Sequence, residues 1–199
     1  MSAPQRGRQA AEQDGEADAA LVAAARGGDP TAFTRIFRAH AGRVRTHLTR
    51  LLGPVADRDD LVQHIFVALH RALPSFRGDS ALGTFLHRIT VNAATDHLRS
   101  RRRHAPAAPG NTEVTDDRET SAGHGQAAAR HDLERLWRLL DRLSAKKRIA
   151  FVLVAVEQRS AAEAGALVGA TEDAVKQRVL AARRELLALI ELEEKEGSR

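Results

Sequence analysis

FRGDSALGTFLHRITVNAATDHLRSRRRH, residues 76–104, joins a turn, an amphipathic helical pattern and a basic end in that order. Gly78, Asp79 and Ser80 are turn-forming residues. Beyond them Phe85, Leu86, Ile89, Ala93 and Leu98 recur at helical spacing, and the run carries Asn92 and Asp96 before closing on Arg99, Arg101, Arg102 and Arg103. Strand-like alternation is missing here and upstream, so an all-α fold is expected. Basic charge alone is weak ground for a ligand. A turn, an aromatic, an amide and an arginine cluster on one helix suit nucleic acid better, with unpaired bases on the first groups and phosphates on the guanidinium groups.

Towards the amino end, three further helices are expected. Leu21, Val22 and Ala25 share helical spacing until Gly27-Gly28-Asp29-Pro30 stops the run. Asp29 is a good N-cap and Pro30 a tolerated first residue for the next helix, which carries Phe33, Ile36, Phe37, Val44, Leu48, Leu51 and Leu52 on one face. Asp57 and Asp59-Asp60 announce a third, with Leu61, Ile65, Ala68 and Leu69 buried and Val62 and Phe66 widening that face. Asp60, Gln63, His64, His70 and Arg71 then point to solvent or a partner.

Past residue 104 the composition turns to Ala, Pro, Gly, Thr and His with scattered Glu and Asp. Such a segment cannot bury enough apolar surface to offset its ordering entropy, so a flexible, slightly acidic linker is expected. A stripe of Leu133, Leu136, Trp137, Leu140 and Leu143 follows, then Ser144 as an N-cap for a helix with Ile149, Val152, Leu153 and Val156. Two helical runs separated by Gly169-Ala170 come last, the second opened by Thr171, Glu172 and Asp173. That is the layout of a helix-turn-helix. In its last helix Val175, Val179, Ala182 and Leu186 share one face, and Asp173, Gln177, Leu180 and Arg184 the opposite one, with Lys176 and Arg183 beside it. Such a helix suits a major groove, where Gln reads adenine and Arg guanine.

The expected organisation is a disordered tail (1–18), a first helical domain (19–103), the linker (104–130), a helix-turn-helix domain (131–190) and an acidic tail (191–199). At 199 residues the chain has room for two small domains. The lack of cysteine excludes a disulfide framework and thiolate metal sites. Residues 1–18 hold no apolar signal-peptide core, and no run reaches the roughly 18 apolar residues of a spanning helix, so a cytoplasmic protein without membrane insertion is expected. The net charge is +5, with lysine only at 146, 147, 176 and 195 and arginine supplying the rest of the basic side.

DRDDLVQHIFVALHRALPSFRGDSALGTFLHRITVNAATDHLRSRRR and LSAKKRIAFVLVAVEQRSAAEAGALVGATEDAVKQRVLAARREL together resemble a bacterial RNA polymerase sigma factor of the extracytoplasmic function group. The resemblance covers residues 19–103 and 131–190. It implies a transcription initiation factor without cofactor or metal. Asp57, Asp60, Gln63 and His64 would meet the clamp helices of core polymerase, and the second domain would touch the flap. Phe76, Gly78, Asp79, Ser80 and Ala81 would form a pocket for a flipped base of the minus-ten element, single-stranded once opened. Asn92 would contact a base edge, Phe85 and Arg88 would lie beside it, and Arg99, Arg101, Arg102 and Arg103 would hold phosphates. Thr171, Asp173, Lys176, Gln177, Arg178, Arg183 and Arg184 would meet duplex DNA at the minus-thirty-five element. An anti-sigma partner is also implied.

The chain departs from the family pattern in places. Phe85 replaces a usual tryptophan and is equally explained as core. His64 replaces a usual glutamate. Ala161, Ala162, Ala164, Gly165 and Ala166 replace larger residues, and a mid-helix glycine costs about 1 kcal/mol against alanine, which predicts a second domain of marginal stability. Two rival classes compete. A metal enzyme would use Asp60 and His64, one helical turn apart, with Asp57 or His40, but no catalytic motif accompanies them. A stand-alone helix-turn-helix regulator would use Lys176 to Arg184 and would leave residues 76–103 unexplained.

Overall fold

The computed structural model describes the backbone of residues 3–104 and 124–197 and the side chains of residues 15–104 and 129–196. All regular structure among them is helical: α1 (Ala3–Arg26), α2 (Pro30–Leu52), α3 (Arg58–Ala72) with a short 3₁₀ turn at Leu73–Ser75, α4 (Leu82–His104), α5 (His124–Arg142), α6 (Ala145–Phe151) continued by a π-helical turn at Val152–Val156, α7 (Ala161–Val168) and α8 (Glu172–Gly197). The expected all-α fold is present. The chain divides into two compact units, Met1–Thr49 with Ala56–Ala93 and Arg50–Val55 with Ala94–Arg199. Residues 105–123 of the expected linker lie outside the described residues.

In the first unit, helix begins at Ala3, well ahead of the periodic apolar residues. The expected tail is tied down at Asp18, whose carboxylate lies 2.9 Å from Nε2 of the buried His40. Val22 anchors the helix in the core. Asp29 starts α2 as read, its Oδ1 accepting from the Thr31 N–H at 2.8 Å and the Thr31 hydroxyl at 2.7 Å. These bonds, the hydroxyl's first, hold its carboxyl below the ordinary range. The core of this unit is Ile36, Val44 and Leu48 from α2 with Val62, Ile65, Phe66 and Leu69 from α3.

Two apolar faces are turned relative to the sequence reading. On α3, Val62 and Phe66 are buried, whereas Leu61 is half-exposed and Ala68 exposed. On α4 the buried residues are Leu82, Leu86, His87, Thr90, Val91, Ala94 and Leu98, while Phe85, Ile89 and Ala93 stay half-exposed. The Thr90 hydroxyl donates to the Leu86 carbonyl at 2.9 Å, and the His87 ring stacks on His47 with centroids 4.2 Å apart. A hydroxyl bonded within its own helix and a ring packed on another ring can both occupy a dry face, and hydropathy does not see that.

In the second unit, Leu139 and Leu140 of α5 and Leu143 just beyond it are buried, but Leu133 and Leu136 are not, at 51% and 38% exposure. Helix starts at His124 rather than near His131; Ala127, Ala128 and Ala129 are strong helix formers that an apolar-periodicity search misses. Ser144 caps α6 as read, accepting from the Lys147 N–H. Gln158, at φ 56°, turns the chain into α7. There Ser160 and Glu163 form a reciprocal capping box, and Gly169 closes the helix in the left-handed conformation at φ 63°. Val175, Val179, Ala182 and Leu186 make the dry side of α8, as the sequence reading has it. The acidic end expected as a tail continues α8 to Gly197, with Glu193 held 2.8 Å from Arg135.

Gly165 has a reason that propensity does not show. A Cβ there would lie 2.6 Å from the Ala170 carbonyl oxygen, a backbone atom of the tight turn that cannot shift cheaply. Its own carbonyl accepts from the Ala170 N–H at 3.0 Å. Gly165→Ala is therefore expected to destabilise the second unit by about 1–3 kcal/mol, overpacking outweighing the better helix former. Urea unfolding followed by Trp137 fluorescence checks this; a gain in stability would show that the turn gives way.

Candidate nucleic-acid interface

The turn at 76–81 and the exposed side of α4 meet through two rings. Phe76 and Phe85 lie with centroids 4.9 Å apart and planes at 35°, both half-exposed. Phe85 is thus not a core residue; its ring lies at the surface. Arg88 and Asn92 are exposed one and two turns further along the same face, and Arg99 continues it, 3.3 Å from Asp96. The positive φ of Gly78, 81°, bends the turn, and a Cβ added there would meet nothing within 4 Å. Asp79, Ser80 and Ala81 are exposed. The Ala81 carbonyl receives the N–H groups of Thr84 and Phe85, starting α4 directly from the turn.

The sequence reading missed what lies opposite. A cavity of about 340 Å³ separates this turn from α1, lined on one side by Asp18, Val22 and Arg26 and on the other by Phe76, Gly78 and Ser80. Arg26 reaches across it, its Nη1 donating to the Phe76 carbonyl at 3.3 Å. The four-residue spacing of Asp18, Val22 and Arg26 is the only sequence signal for that face.

Asp57 at the N-cap of α3 and Asp60, Gln63 and His64 along it are all exposed, so they form an accessible polar strip. Asp59 beside them binds Arg45 at 3.0 Å. His40, a rival metal ligand by sequence, is buried against Asp18 instead.

On α8, Asp173, Lys176, Gln177, Arg183 and Arg184 are exposed and Arg178 is half-exposed. Lys176 is braced by Glu172 at 2.7 Å; that hydrogen bond chiefly raises its pKa and keeps the ammonium charged. Thr171 is spent on structure: its hydroxyl accepts from the Ala174 N–H at 3.3 Å and caps the helix.

Within the second unit, two of the expected phosphate anchors already have partners. Arg101 lies 3.4 Å from Asp141, and Arg102 donates to the Arg142 carbonyl at 2.7 Å. Arg103 is exposed. Arg148, which the sequence reading left aside, is a buried ionised side chain in this unit's core, the only one among the described residues, paired with Asp141 through Nη1 and donating from Nε to the Leu51 carbonyl at 2.8 Å. No helix among the described residues is long and apolar enough to cross a membrane.

Residues 36–104 match the family model of sigma-70 region 2, and residues 133–186 match that of sigma-70 region 4. The ECF RNA polymerase sigma factor SigM of Mycobacterium tuberculosis is 34% identical over 174 residues, which are 87% of this chain and 84% of that protein. The RNA polymerase sigma factor NccH of Alcaligenes xylosoxydans xylosoxydans is 33% identical, with 89% of this chain and 97% of the relative covered. Among solved structures, CnrH in complex with the cytosolic domain of CnrY is 30% identical with a TM-score of 0.59, covering 88% of this chain and 98% of that one. The sigma factor RpoE of Bartonella quintana, solved with the anti-sigma factor NepR, shares the fold at a TM-score of 0.53 and 22% identity over 80% of this chain and 96% of that one.

Proposed function

This chain belongs to the extracytoplasmic function group of RNA polymerase sigma factors, transcription initiation factors that bind the polymerase, and from that premise we propose how its surfaces divide the work. The 76–81 turn and the exposed side of α4 hold the unpaired minus-ten strand, α8 reads the duplex minus-thirty-five element, and the α3 strip of Asp57, Asp60, Gln63 and His64 meets the clamp helices. The observation that carries this is the Phe76–Phe85 ring pair at the surface, on the helix face that also presents Arg88 and Asn92.

Opening a duplex asks for no bond chemistry from the factor. It asks for greater affinity for splayed bases than for stacked ones. Two adjoining aromatic faces supply that, since base–aromatic stacking contributes about 1–3 kcal/mol per base. The amide of Asn92 adds a donor and an acceptor for a base edge. The factor thus acts by binding alone, in the cytoplasm, where core polymerase works. Leu133 and Leu136 on α5 suit an apolar partner such as the polymerase flap. An anti-sigma partner is expected for this chain too, as CnrH and RpoE were each solved with a bound partner protein. A stand-alone regulator would leave the region 2 match over residues 36–104 without a use.

Transcription in vitro with sigma-free core polymerase tests the whole assignment: promoter-specific transcripts are expected, and none across candidate promoters would reject it. For the second domain, Gln177→Ala and Arg184→Ala are each expected to reduce discrimination between upstream elements roughly tenfold. Binding to a library of duplex elements measures this, and an unchanged preference removes that residue from the base-reading set.

A further inference from the structure

The cavity between α1 and the 76–82 segment has a wall that no base-pocket assignment above includes. Ala19, Val22, Ala23 and Arg26 lie at three- and four-residue spacing, which puts them on one side of α1, and all four line the cavity. We infer that this side of α1 is the second wall of the minus-ten pocket, so that a single extruded nucleotide is held between α1 and the turn rather than on the turn alone. The inference rests on the reading of residues 76–81 as a base-binding turn.

Three features support it. The volume, about 340 Å³, falls at the small end of the roughly 300–1,000 Å³ range of ligand pockets, which suits one nucleotide and not a stacked run. The two walls differ in chemistry. On the α1 side the exposed Ala19 and Ala23, over the buried Val22, offer an apolar surface for a base face. Across from it Gly78 and Ser80 offer backbone groups and a hydroxyl for a base edge, with open space above Gly78 where a side chain would otherwise stand. This is the pairing of stacking surface and polar edge by which flipped bases are held.

Arg26 joins the walls. Its bond to the Phe76 carbonyl spans 50 positions in the sequence and fixes the start of the turn beside the ring that packs, tilted, against Phe85. Arg26 is therefore a positioning residue for the aromatic pair. A guanidinium group carries five N–H donors, so the same side chain can hold the turn and offer donors to the nucleotide's phosphate or base acceptors.

The test uses holoenzyme, full chain plus core polymerase, on a promoter that the wild-type chain transcribes. 2-Aminopurine is walked through the non-template minus-ten strand, and affinity for a fork template with that strand unpaired is measured alongside. For the wild type, one position is expected to brighten as its base leaves the stack. Ala23→Trp, at an exposed site, fills the cavity from the α1 side and leaves the residues of the turn unchanged; it is expected to abolish that signal and weaken fork binding roughly tenfold, with core binding kept. Ala19→Trp, one turn away, is the second probe should Ala23→Trp melt early. Arg26→Ala is expected to lower the signal, with Arg26→Lys restoring part of it.

An undiminished signal and unchanged fork affinity in both tryptophan variants would overturn the α1 wall while leaving the turn's role standing. No brightening at any position in the wild type would instead remove the base-binding turn, and the second wall with it.

Discussion

Asn92→Ala is expected to lower open-complex formation by roughly ten- to a hundredfold while leaving the affinity for core polymerase unchanged. The side chain is exposed on α4, two turns beyond Phe85, and its neighbours Val91 and Ala94 rather than Asn92 itself fill the core. Truncation therefore removes no packing. What it removes is a donor and an acceptor on one rigid group, a combination that contributes about 1–3 kcal/mol when it meets a matching base edge. An order of magnitude per 1.4 kcal/mol gives the stated range. Permanganate reactivity of unpaired thymines reports opening, and co-migration with core reports binding. Loss of core binding in place of opening would reject Asn92 as a base contact and make it part of the polymerase interface.

The second large effect concerns stability. Asp141→Ala is expected to destabilise the second unit by about 2–4 kcal/mol, whereas Arg148→Met should cost less, about 1 kcal/mol, for the Leu51 carbonyl that loses its donor. Arg148 is 1% exposed, lies with its guanidinium carbon 5.7 Å from the Trp137 ring centroid, and has one nitrogen, Nη2, without a hydrogen bond. Burial pushes its pKa down, and Asp141 opposes that push. Removing the carboxylate strands a buried charge. Removing the charge with a side chain of similar length leaves a packed apolar group, with only the Leu51 carbonyl losing a partner. The expected loss is set below the about 3–5 kcal/mol of fully buried pairs because the Asp141 side chain is 41% exposed and remains partly hydrated. Trp137, the chain's single tryptophan, stands beside Arg148 and follows the transition in urea. Equal losses in the two variants would show that the ion pair itself, and not the stranded charge, stabilises the unit.

Local features of the chain were legible wherever one segment carries its own signal. The dry side of α8, the Ser144 cap and the Asp29 start of α2 all stand as read, because caps and 3.6-residue periodicity act over a turn or two. The α4 face was misplaced where His87 and Thr90 enter the core, and the α5 stripe where Leu133 and Leu136 stay in water. A single helix does not encode which of its apolar residues its neighbours reach. Gly165 read as a weakness, and its meaning depends on where the Ala170 carbonyl arrives after the turn.

For the candidate interface the division follows the same line. The order of turn, aromatic, amide and arginines in residues 76–104, and the helix-turn-helix at 161–186, could be read from the chain alone, since each is a contiguous run with its own spacing. The tertiary structure decided which rings touch, that Arg102 donates to a carbonyl, that Arg148 is buried, and that α1 stands across a cavity from Gly78. Those facts join residues that are not neighbours along one helix, most of them tens of positions apart, and their energies come from burial and hydrogen bonding made only once the helices have packed.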